Sequence, residues 1–180
     1  MVFSSDNGGQ ANVGADNGDN RGAKQNMYEG RIRVSTCAVW PGKISSGSQS
    51  NERGLTMDLL PTFAEAAGAP IKHEIDGTSL LPILLGGDLP SLSVRDVFFV
   101  RREGNLSFMG ESSWAMRRGD WKLVKEVKDR PGKPWEMFNL KSDPLETEDR
   151  WTARRPKEHQ AMAEAMRKHI QASRDIPWQK

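Results

Sequence analysis

Short apolar runs separated by polar and glycine-rich stretches characterise the first half of the chain. The run Val2–Ser5 predicts a strand, and the β-branched run Val34–Trp40 predicts another, in which we expect Cys37 to be buried as a small core hydrophobe. Between these strands, residues 8–26 are rich in glycine and asparagine and predict a long loop. A loop of this kind inside a compact domain usually belongs to a binding site.

Apolar residues then recur with the helical period. Thr56 is the expected N-cap of a helix over Met57–Ala67, which Gly68 ends. A shorter helix is predicted over Ser79–Leu85, where the glycine pair that follows stops it. Strand and helix signals therefore alternate in the first half of the chain, which indicates the α/β class.

The second half of the chain has strand signals followed by one helix. Four strands are predicted, over Val97–Val100, Trp114–Arg117, Trp121–Lys125 and Trp135–Leu140. The tight-turn sequence Arg118-Gly119-Asp120 predicts that the middle two form an antiparallel hairpin. One apolar face of this sheet is expected to consist of Trp114, Met116, Trp121, Leu123, Met137 and Leu140. Over Lys157–Ser173 an amphipathic helix is predicted from an apolar spacing of four, with Met162, Met166 and Ile170.

These elements predict an α/β chain in two parts, residues 1–90 and a small antiparallel sheet with a terminal helix over 91–180. The 180 residues, 36% of them hydrophobic, are enough for a core. With 26 Lys and Arg against 24 Asp and Glu, the net charge of +2 does not indicate a nucleic-acid partner. No apolar run is long enough to span a bilayer, and the amino terminus has no signal-segment pattern.

Candidate chemistry lies directly after the first strand, at Asp6 and Asn7. In α/β proteins ligands bind beyond the carboxyl ends of parallel strands, so a carboxylate and an amide at this point indicate a metal or anion site. The alternative is an ordinary turn, because Asp-Asn-Gly is also common turn chemistry.

Further segments along the chain favour the site over the ordinary turn. They are Gly22-Ala23-Lys24, Glu29-Gly30-Arg31-Ile32-Arg33-Val34, Trp40-Pro41-Gly42-Lys43-Ile44, Asp58-Leu59-Leu60-Pro61-Thr62, Asp76-Gly77-Thr78-Ser79-Leu80-Leu81-Pro82, Trp121-Lys122-Leu123, Glu136-Met137-Phe138-Asn139-Leu140 and Asp143-Pro144-Leu145-Glu146. Together they resemble the sulfatase family, the calcium- and formylglycine-dependent sulfuric ester hydrolases of the alkaline phosphatase superfamily. The resemblance extends to about residue 150 and concerns the carboxyl-terminal part of such an enzyme.

The resemblance implies a fold and a set of site residues. Residues 1–90 would be the carboxyl-terminal segment of the alkaline-phosphatase-like catalytic domain, followed by the small sheet subdomain. Asp6 and Asn7 would be two ligands of a calcium ion, and Lys24 would contact the sulfate group of a sulfate ester substrate. Loops such as 102–111 would help to set specificity, but their sequence does not identify the substrate.

The chain also departs from the family pattern. The Cys-x-Pro-Ser-Arg motif, whose cysteine becomes the formylglycine nucleophile, is absent, and the family's remaining metal ligands and active-site histidines are expected before residue 1. We therefore expect a fragment that is inactive alone, that binds calcium weakly, and that leaves Val2–Ser5 without a partner strand. A complementing amino-terminal sulfatase part is a possible partner, and a full-length relative is expected to be periplasmic or secreted.

Two alternatives stay open from the sequence. The chain could be a non-catalytic remnant of a split or decayed sulfatase gene, or part of a related phosphate or phosphonate ester hydrolase. Glu29, Arg31 and Arg33 are expected to form a charge cluster near Lys24, with Arg33 in a structural role. No catalytic role is expected for the histidines, which are His73, His159 and His169.

Overall fold

The structure, a computed structural model, describes residues 1–102, 112–126, 135–151 and 157–174. Two compact units emerge from it, one formed by Met1–Ser4 with Thr36–Arg95 and the other by Ser5–Ser35 with Asp96–Lys180. The two units meet in the chain at Arg95, and Ser5–Ser35 belongs to the same unit as the carboxyl-terminal residues. The predicted domain boundary near residue 90 stays a prediction. Residues 103–111 of the predicted specificity loop lie outside the described residues.

The described elements follow the predicted order, with one 3-10 turn and two short helices added. They are β1 (Val2–Ser4), a 3-10 turn (Ala11–Val13), α1 (Glu29–Ile32), β2 (Thr36–Ala38), a 3-10 turn (Thr56–Asp58), α2 (Leu59–Ala66), α3 (Leu81–Leu84), α4 (Ser91–Val94), β3 (Val97–Arg102), β4 (Ser112–Arg118), β5 (Trp121–Lys125), β6 (Glu136–Asn139) and α5 (Lys157–Arg174). The four-residue helices α1 and α4 were not predicted, because neither has the apolar run and the following glycine pair that indicate α3. The mixture of helices and strands confirms the predicted α/β class.

In the first unit, β1 has a partner strand, contrary to expectation. It pairs antiparallel with β2, so that Val2 lies opposite Ala38 and Phe3 opposite Cys37. The expected burial of Cys37 is wrong, because its side chain is exposed. Its cross-strand neighbour Phe3 is also exposed, at 68%, so Phe3 and Cys37 form no buried core between β1 and β2.

The buried carboxylate of Asp58 organises the helical part of the first unit. It accepts the N–H of Leu55 at 2.7 Å and the N–H of Thr78 at 2.9 Å, and it forms a two-point ion pair with the Arg95 guanidinium at 2.8 and 2.5 Å. The expected N-cap Thr56 is therefore wrong, since the capping side chain is Asp58, which reaches back to Leu55. As predicted, the helix ends near Gly68, whose φ is +65°.

The second unit contains a four-stranded antiparallel sheet in the order β3-β4-β5-β6. The predicted hairpin between β4 and β5 is confirmed, with Arg118 opposite Trp121 across the turn. Gly119 in that turn has a φ of +56°, which favours glycine. The sheet therefore forms from neighbouring strands along the chain, as the turn signals indicate.

Both faces of this sheet are covered. On one face Met116, Leu123 and Met137 pack against α5, whose inward residues include Met162 and Met166 as predicted. The other face packs against the segment before α1 through a second cluster, formed by Met27, Tyr28, Ala115, Val124, Phe138 and Leu140. Leu140 therefore belongs to the opposite face from the one predicted. None of the helices among the described residues combines the length and the hydrophobicity that a bilayer-spanning helix needs.

Replacement of Asp58 by Asn is expected to destabilise the protein in a pH-dependent way. Burial raises the pKa of Asp58, but hydrogen bonds from Arg95, Thr78 and Leu55 outweigh it and lower the pKa below 3.8. Because the folded-state pKa is lowered, this stabilisation is present above about pH 4 and is lost as the pH falls through the folded-state pKa. At neutral pH we expect a loss of about 3 kcal/mol in the free energy of unfolding, measured by urea denaturation.

The matched control is Asp88→Asn, because Asp88 is exposed. We expect it to change the free energy of unfolding by less than about 0.5 kcal/mol. A difference between Asp58→Asn and the unaltered protein that stayed constant from pH 7 down to pH 2 would contradict the assigned role of the Asp58 carboxylate.

Candidate functional site

The predicted metal ligands Asp6 and Asn7 lie in the bend that directly follows β1. Asp6 is exposed and Asn7 is half-buried. The next residue, Gly8, is buried, and its N–H donates to the Arg31 carbonyl oxygen at 2.7 Å. A Cβ atom at Gly8 would lie 1.8 Å from the carbonyl oxygen of Gly30, so only glycine fits. The bend therefore rests on the backbone of α1.

The loop containing Lys24 meets the same bend at Gly9. The Gly9 carbonyl oxygen accepts the N–H of Lys24 at 3.0 Å and the side-chain amide of Asn17 at 3.0 Å. The N–H of Gly9 donates to the Asn17 side-chain oxygen at 2.7 Å. Lys24 is exposed, and among the described residues no ion pair joins its ammonium to a carboxylate. The hydrogen bond to Gly9, which lies two residues after Asn7, therefore holds the backbone of Lys24 beside the bend.

A third close backbone contact links the Lys24 loop to α1. The N–H of Gly30 donates to the Arg21 carbonyl oxygen at 2.7 Å. A Cβ atom at Gly30 would lie 2.2 Å from the carbonyl oxygen of Gly22. Gly8, Gly30 and Gly22 therefore pack in successive layers without side chains between them, and we call this arrangement the glycine stack.

A buried ionic network attaches α1 to the four-stranded sheet. The ammonium of Lys122 on β5 lies 2.8 Å from a carboxylate oxygen of Glu29 and 2.8 Å from one of Glu146. The second oxygen of Glu146 accepts the backbone N–H of Glu29 at 2.7 Å, and Arg117 lies 3.5 Å from Glu29. The side chains of Lys122 and Glu146 are fully buried. We call Lys122, Glu29 and Glu146 the buried triad.

The two glutamates of the triad have opposite pKa shifts. Burial raises the pKa of both, but for Glu29 the charge of Lys122, its hydrogen bond and the charge of Arg117 outweigh burial and lower the pKa below 4.5. For Glu146, burial dominates over the contributions of Lys122 and of the Glu29 N–H, so its pKa is raised. Glu29 is therefore the more strongly stabilised anion of the pair.

A carboxylate-capped turn places Glu146 in the triad. Asp143 accepts hydrogen bonds from the N–H and hydroxyl of Thr147 at 3.0 and 2.9 Å and from the N–H of Glu148 at 2.9 Å. Glu146 itself has a φ of +57°, a conformation that is rare for residues other than glycine. The segment Asp143-Pro144-Leu145-Glu146 thus forms a turn that directs one carboxylate inward.

Side chains of the loop reinforce this attachment. The Arg21 guanidinium lies 3.8 Å from the centroid of the Tyr28 ring and donates to the Glu146 carbonyl oxygen at 2.7 Å. The Tyr28 hydroxyl donates to Glu136 on β6 at 2.5 Å, and Arg21 lies 3.6 Å from the same carboxylate. Aromatic, cationic and anionic groups therefore fix both ends of the segment that carries Lys24.

The residue after Lys24 has an unusual backbone. Gln25 has a φ of +94°, and its carbonyl oxygen accepts a hydrogen bond from Arg101 on β3 at 2.5 Å. Two residues further on, the N–H of Met27 donates to the buried carboxylate of Glu126 at 2.8 Å. A conformation of this kind costs of order 1–3 kcal/mol, which the surrounding contacts must offset.

The sequence reasoning placed Glu29 near Lys24, whereas the structure pairs it with Lys122. Lys122 and Glu146 lie in segments that resemble the family, but the sequence alone gives neither a role. The signal that could have identified Lys122 is the apolar character of both faces of β5, which contradicts an ordinary exposed lysine. Of the histidines, His159 contacts the Trp121 ring and His169 stacks on Phe98.

The donors at the bend match the chemistry of calcium, which prefers oxygen ligands. Asp6 contributes a carboxylate and Asn7 an amide oxygen, but calcium takes about six to eight oxygens. Within the described residues, no group of three or more His, Cys, Asp or Glu side chains could complete a metal site. The residues present therefore fit part of a calcium shell, and the rest must come from other groups.

Comparisons with known proteins identify the family. A family model described as N-sulphoglucosamine sulphohydrolase, C-terminal, matches residues 22–175. The N-acetylgalactosamine-6-sulfatase of Canis lupus familiaris is 36% identical over 128 residues, which cover 68% of this chain and 22% of that protein. The steryl-sulfatase of Rattus norvegicus is 47% identical over 75 residues, which cover 41% of this chain and 13% of that protein.

A solved structure is similar over nearly the whole chain. BT4656 in complex with its substrate D-glucosamine-2-N,6-O-disulfate aligns with a TM-score of 0.70 and 25% identity, covering 97% of this chain and 34% of that one. The chain therefore spans about a third of this solved chain and less than a quarter of each of the two relatives above. The similarity confirms the predicted resemblance and the predicted fold class.

Replacement of Lys122 by Met is expected to destabilise the protein by about 3–5 kcal/mol, because two buried carboxylates lose their shared counter-charge. The measurement is the free energy of unfolding from urea denaturation. Lys141→Met is the control, because Lys141 is exposed and the same change of side chain should there cost less than about 0.5 kcal/mol. Equal effects of the two substitutions would show that the triad does not stabilise the fold.

Proposed function

This chain belongs to the sulfatase family and corresponds to its carboxyl-terminal portion, and from that premise we propose that it supplies part of the active site of a sulfate ester hydrolase. The observation that carries the proposal is the convergence of two segments at Gly9. Asn7 lies two residues before this glycine, and Lys24 is hydrogen-bonded to it. The backbones of the residues that carry this carboxylate, amide and ammonium thus meet at one corner of the second unit.

Lys24 has the chemistry to contact the sulfate group. Its exposed ammonium carries a positive charge that can offset the negative charge of the ester oxygens, and an oriented charge of this kind is worth most in a site from which water is excluded. The hydrogen bond at Gly9 and the contacts of Tyr28 orient the loop on both sides of Lys24. The backbone of Lys24 is therefore held in place, and only the freedom of its side chain is lost when the ammonium contacts a sulfate.

Asp6 and Asn7 have the chemistry to bind calcium from one side. Their oxygen atoms follow a short strand and precede Gly8, whose close backbone contact limits movement of the bend. When bound, calcium would offset negative charge on the sulfate group of the substrate. The nucleophile is expected from a Cys-x-Pro-Ser-Arg segment, a motif that these 180 residues do not contain.

The relatives are named for sulfate esters of different alcohols. One of them is named for a sulfated amino sugar and another for a sulfated sterol. Because both are similar to this chain, the proposal extends to the sulfate ester and not to its alcohol. Cleavage of that ester gives an alcohol and sulfate.

Lys24→Ala is expected to lower kcat/KM for an aryl sulfate by about 100-fold or more in the intact enzyme, because one preorganised charge is lost from the sulfate contact. The measurement is the release of nitrophenol from p-nitrophenyl sulfate, with p-nitrophenyl phosphate assayed in parallel. Lys141→Ala, at an exposed lysine, should leave kcat/KM unchanged. Absence of sulfatase activity in the intact protein would favour a non-catalytic remnant, and preferential cleavage of the phosphate would favour phosphate ester chemistry.

The 180-residue chain alone is expected to bind calcium with a Kd weaker than about 1 mM, because two side chains supply only part of the shell. Isothermal titration calorimetry measures this affinity, with Asp6→Asn as the variant that should abolish any residual heat. Micromolar binding that survives Asp6→Asn would place the calcium site elsewhere and would contradict the assignment of Asp6 and Asn7.

A further inference from the structure

We infer that Lys122 is a positioning residue for the corner formed by Asp6, Asn7 and Lys24, an inference that rests on the proposed function for its catalytic meaning. Lys122 lies on β5 and belongs to the carboxyl-terminal sheet. None of the bonds described above joins Lys122 directly to Asp6, Asn7 or Lys24. Its influence passes through the buried triad and the glycine stack.

The first step of this link is electrostatic. Lys122 lies between the carboxylates of Glu29 and Glu146, at 2.8 Å from each, and Glu146 also accepts the N–H of Glu29. Both the side chain and the backbone of Glu29 are therefore bonded to the triad. Since Glu29 is the first residue of α1, the start of this helix cannot move without breaking a buried charge contact.

The second step is steric. Gly30 follows Glu29 directly, and its backbone lies against Gly22 on one side and Gly8 on the other. These contacts are tight enough to exclude a Cβ atom, so they leave little free space for a shift of α1. A displacement of the helix would therefore move Gly8, one residue after Asn7, and Gly22, two residues before Lys24.

The third step is the set of backbone hydrogen bonds that hold these layers in register. Gly8 donates to Arg31, and Gly30 donates to Arg21. The N–H of Lys24 donates to the carbonyl oxygen of Gly9, which joins the Lys24 loop to the bend of Asp6 and Asn7. Three amide hydrogens, those of Gly8, Gly30 and Lys24, thus report directly on the geometry of the corner.

The test is amide hydrogen exchange on the full-length protein, comparing Lys122→Met with the exposed control Lys141→Met. We expect exchange at Gly8, Gly30 and Lys24 to accelerate by at least about tenfold in Lys122→Met, because local opening of the corner becomes easier. The acceleration at these three amides should depend little on added denaturant, as expected for local opening, whereas protected amides of α5, on the opposite face of the sheet, should follow global unfolding. Unchanged rates at the three amides, or an acceleration there with the denaturant dependence of global unfolding, would overturn the inference.

A second variant decides the question if Lys122→Met does not fold. Glu29→Gln keeps the length of the side chain and leaves Lys122 paired with Glu146, so the fold should tolerate it. It should accelerate exchange at the same three amides by a smaller factor. Rates equal to those of the unaltered protein would contradict the link through Glu29.

Kinetics separates this inference from the proposed function. In an active enzyme we expect Lys122→Met, assayed well below its unfolding temperature, to raise KM for p-nitrophenyl sulfate and to lower kcat. A substitution that only destabilises the fold would leave KM unchanged and reduce the concentration of active enzyme. If the unaltered protein cleaves no sulfate ester, the proposed function fails, while the exchange pattern still decides whether Lys122 positions the corner.

Discussion

The buried triad of Lys122, Glu29 and Glu146 is the interaction on which the rest of the second unit depends. Burying three charges is costly, and the cost is offset only when the ions are closely paired and their remaining polar atoms are hydrogen-bonded. Lys122 lies 2.8 Å from each carboxylate and Glu146 also accepts the Glu29 N–H, so close pairing and this hydrogen bond offset part of the cost. Arg117, 3.5 Å from Glu29, adds a second positive charge, so the two anions face two cations.

This interaction joins parts of the chain that are far apart in sequence. The sheet and its following turn supply Lys122 and Glu146, whereas Glu29 belongs to the segment that follows the glycine-rich loop. The sheet is thus covered on both faces, by α5 on one and by the segment before α1 on the other. A subdomain without a proposed catalytic side chain of its own therefore acts as the scaffold for Lys24.

Local patterns in the sequence predicted much of the fold. The hairpin between β4 and β5, and the methionine spacing of α5, depend on neighbouring residues and were predicted correctly. Burial of Cys37 was predicted wrongly, because an apolar run does not reveal whether a second layer covers it. The apolar neighbours of Lys122 on β5 indicate that it is buried, but its partners could not be predicted. Lys122 and Glu146 are 24 positions apart, and Glu29, which joins them, lies almost a hundred positions before Lys122.

For the candidate site, the family resemblance named Asp6, Asn7 and Lys24, but it did not explain how a loop rich in glycine becomes ordered. The structure gives a physical reason for two of those glycines and for Gly30 in α1, because Gly8, Gly22 and Gly30 allow backbone layers to approach more closely than side chains permit. Composition alone cannot distinguish such packing from simple flexibility. The contacts of each glycine are needed for that distinction.

A crystal structure of the intact protein with calcium and a slowly cleaved sulfate ester tests the roles assigned to Asp6, Asn7 and Lys24. We expect oxygens of Asp6 and Asn7 to lie about 2.3–2.6 Å from a calcium ion. We also expect the Lys24 ammonium to lie within hydrogen-bonding distance, about 2.7–3.2 Å, of a sulfate oxygen. A sulfate ester bound elsewhere, with the Lys24 ammonium in solvent, would show that these residues do not form the site.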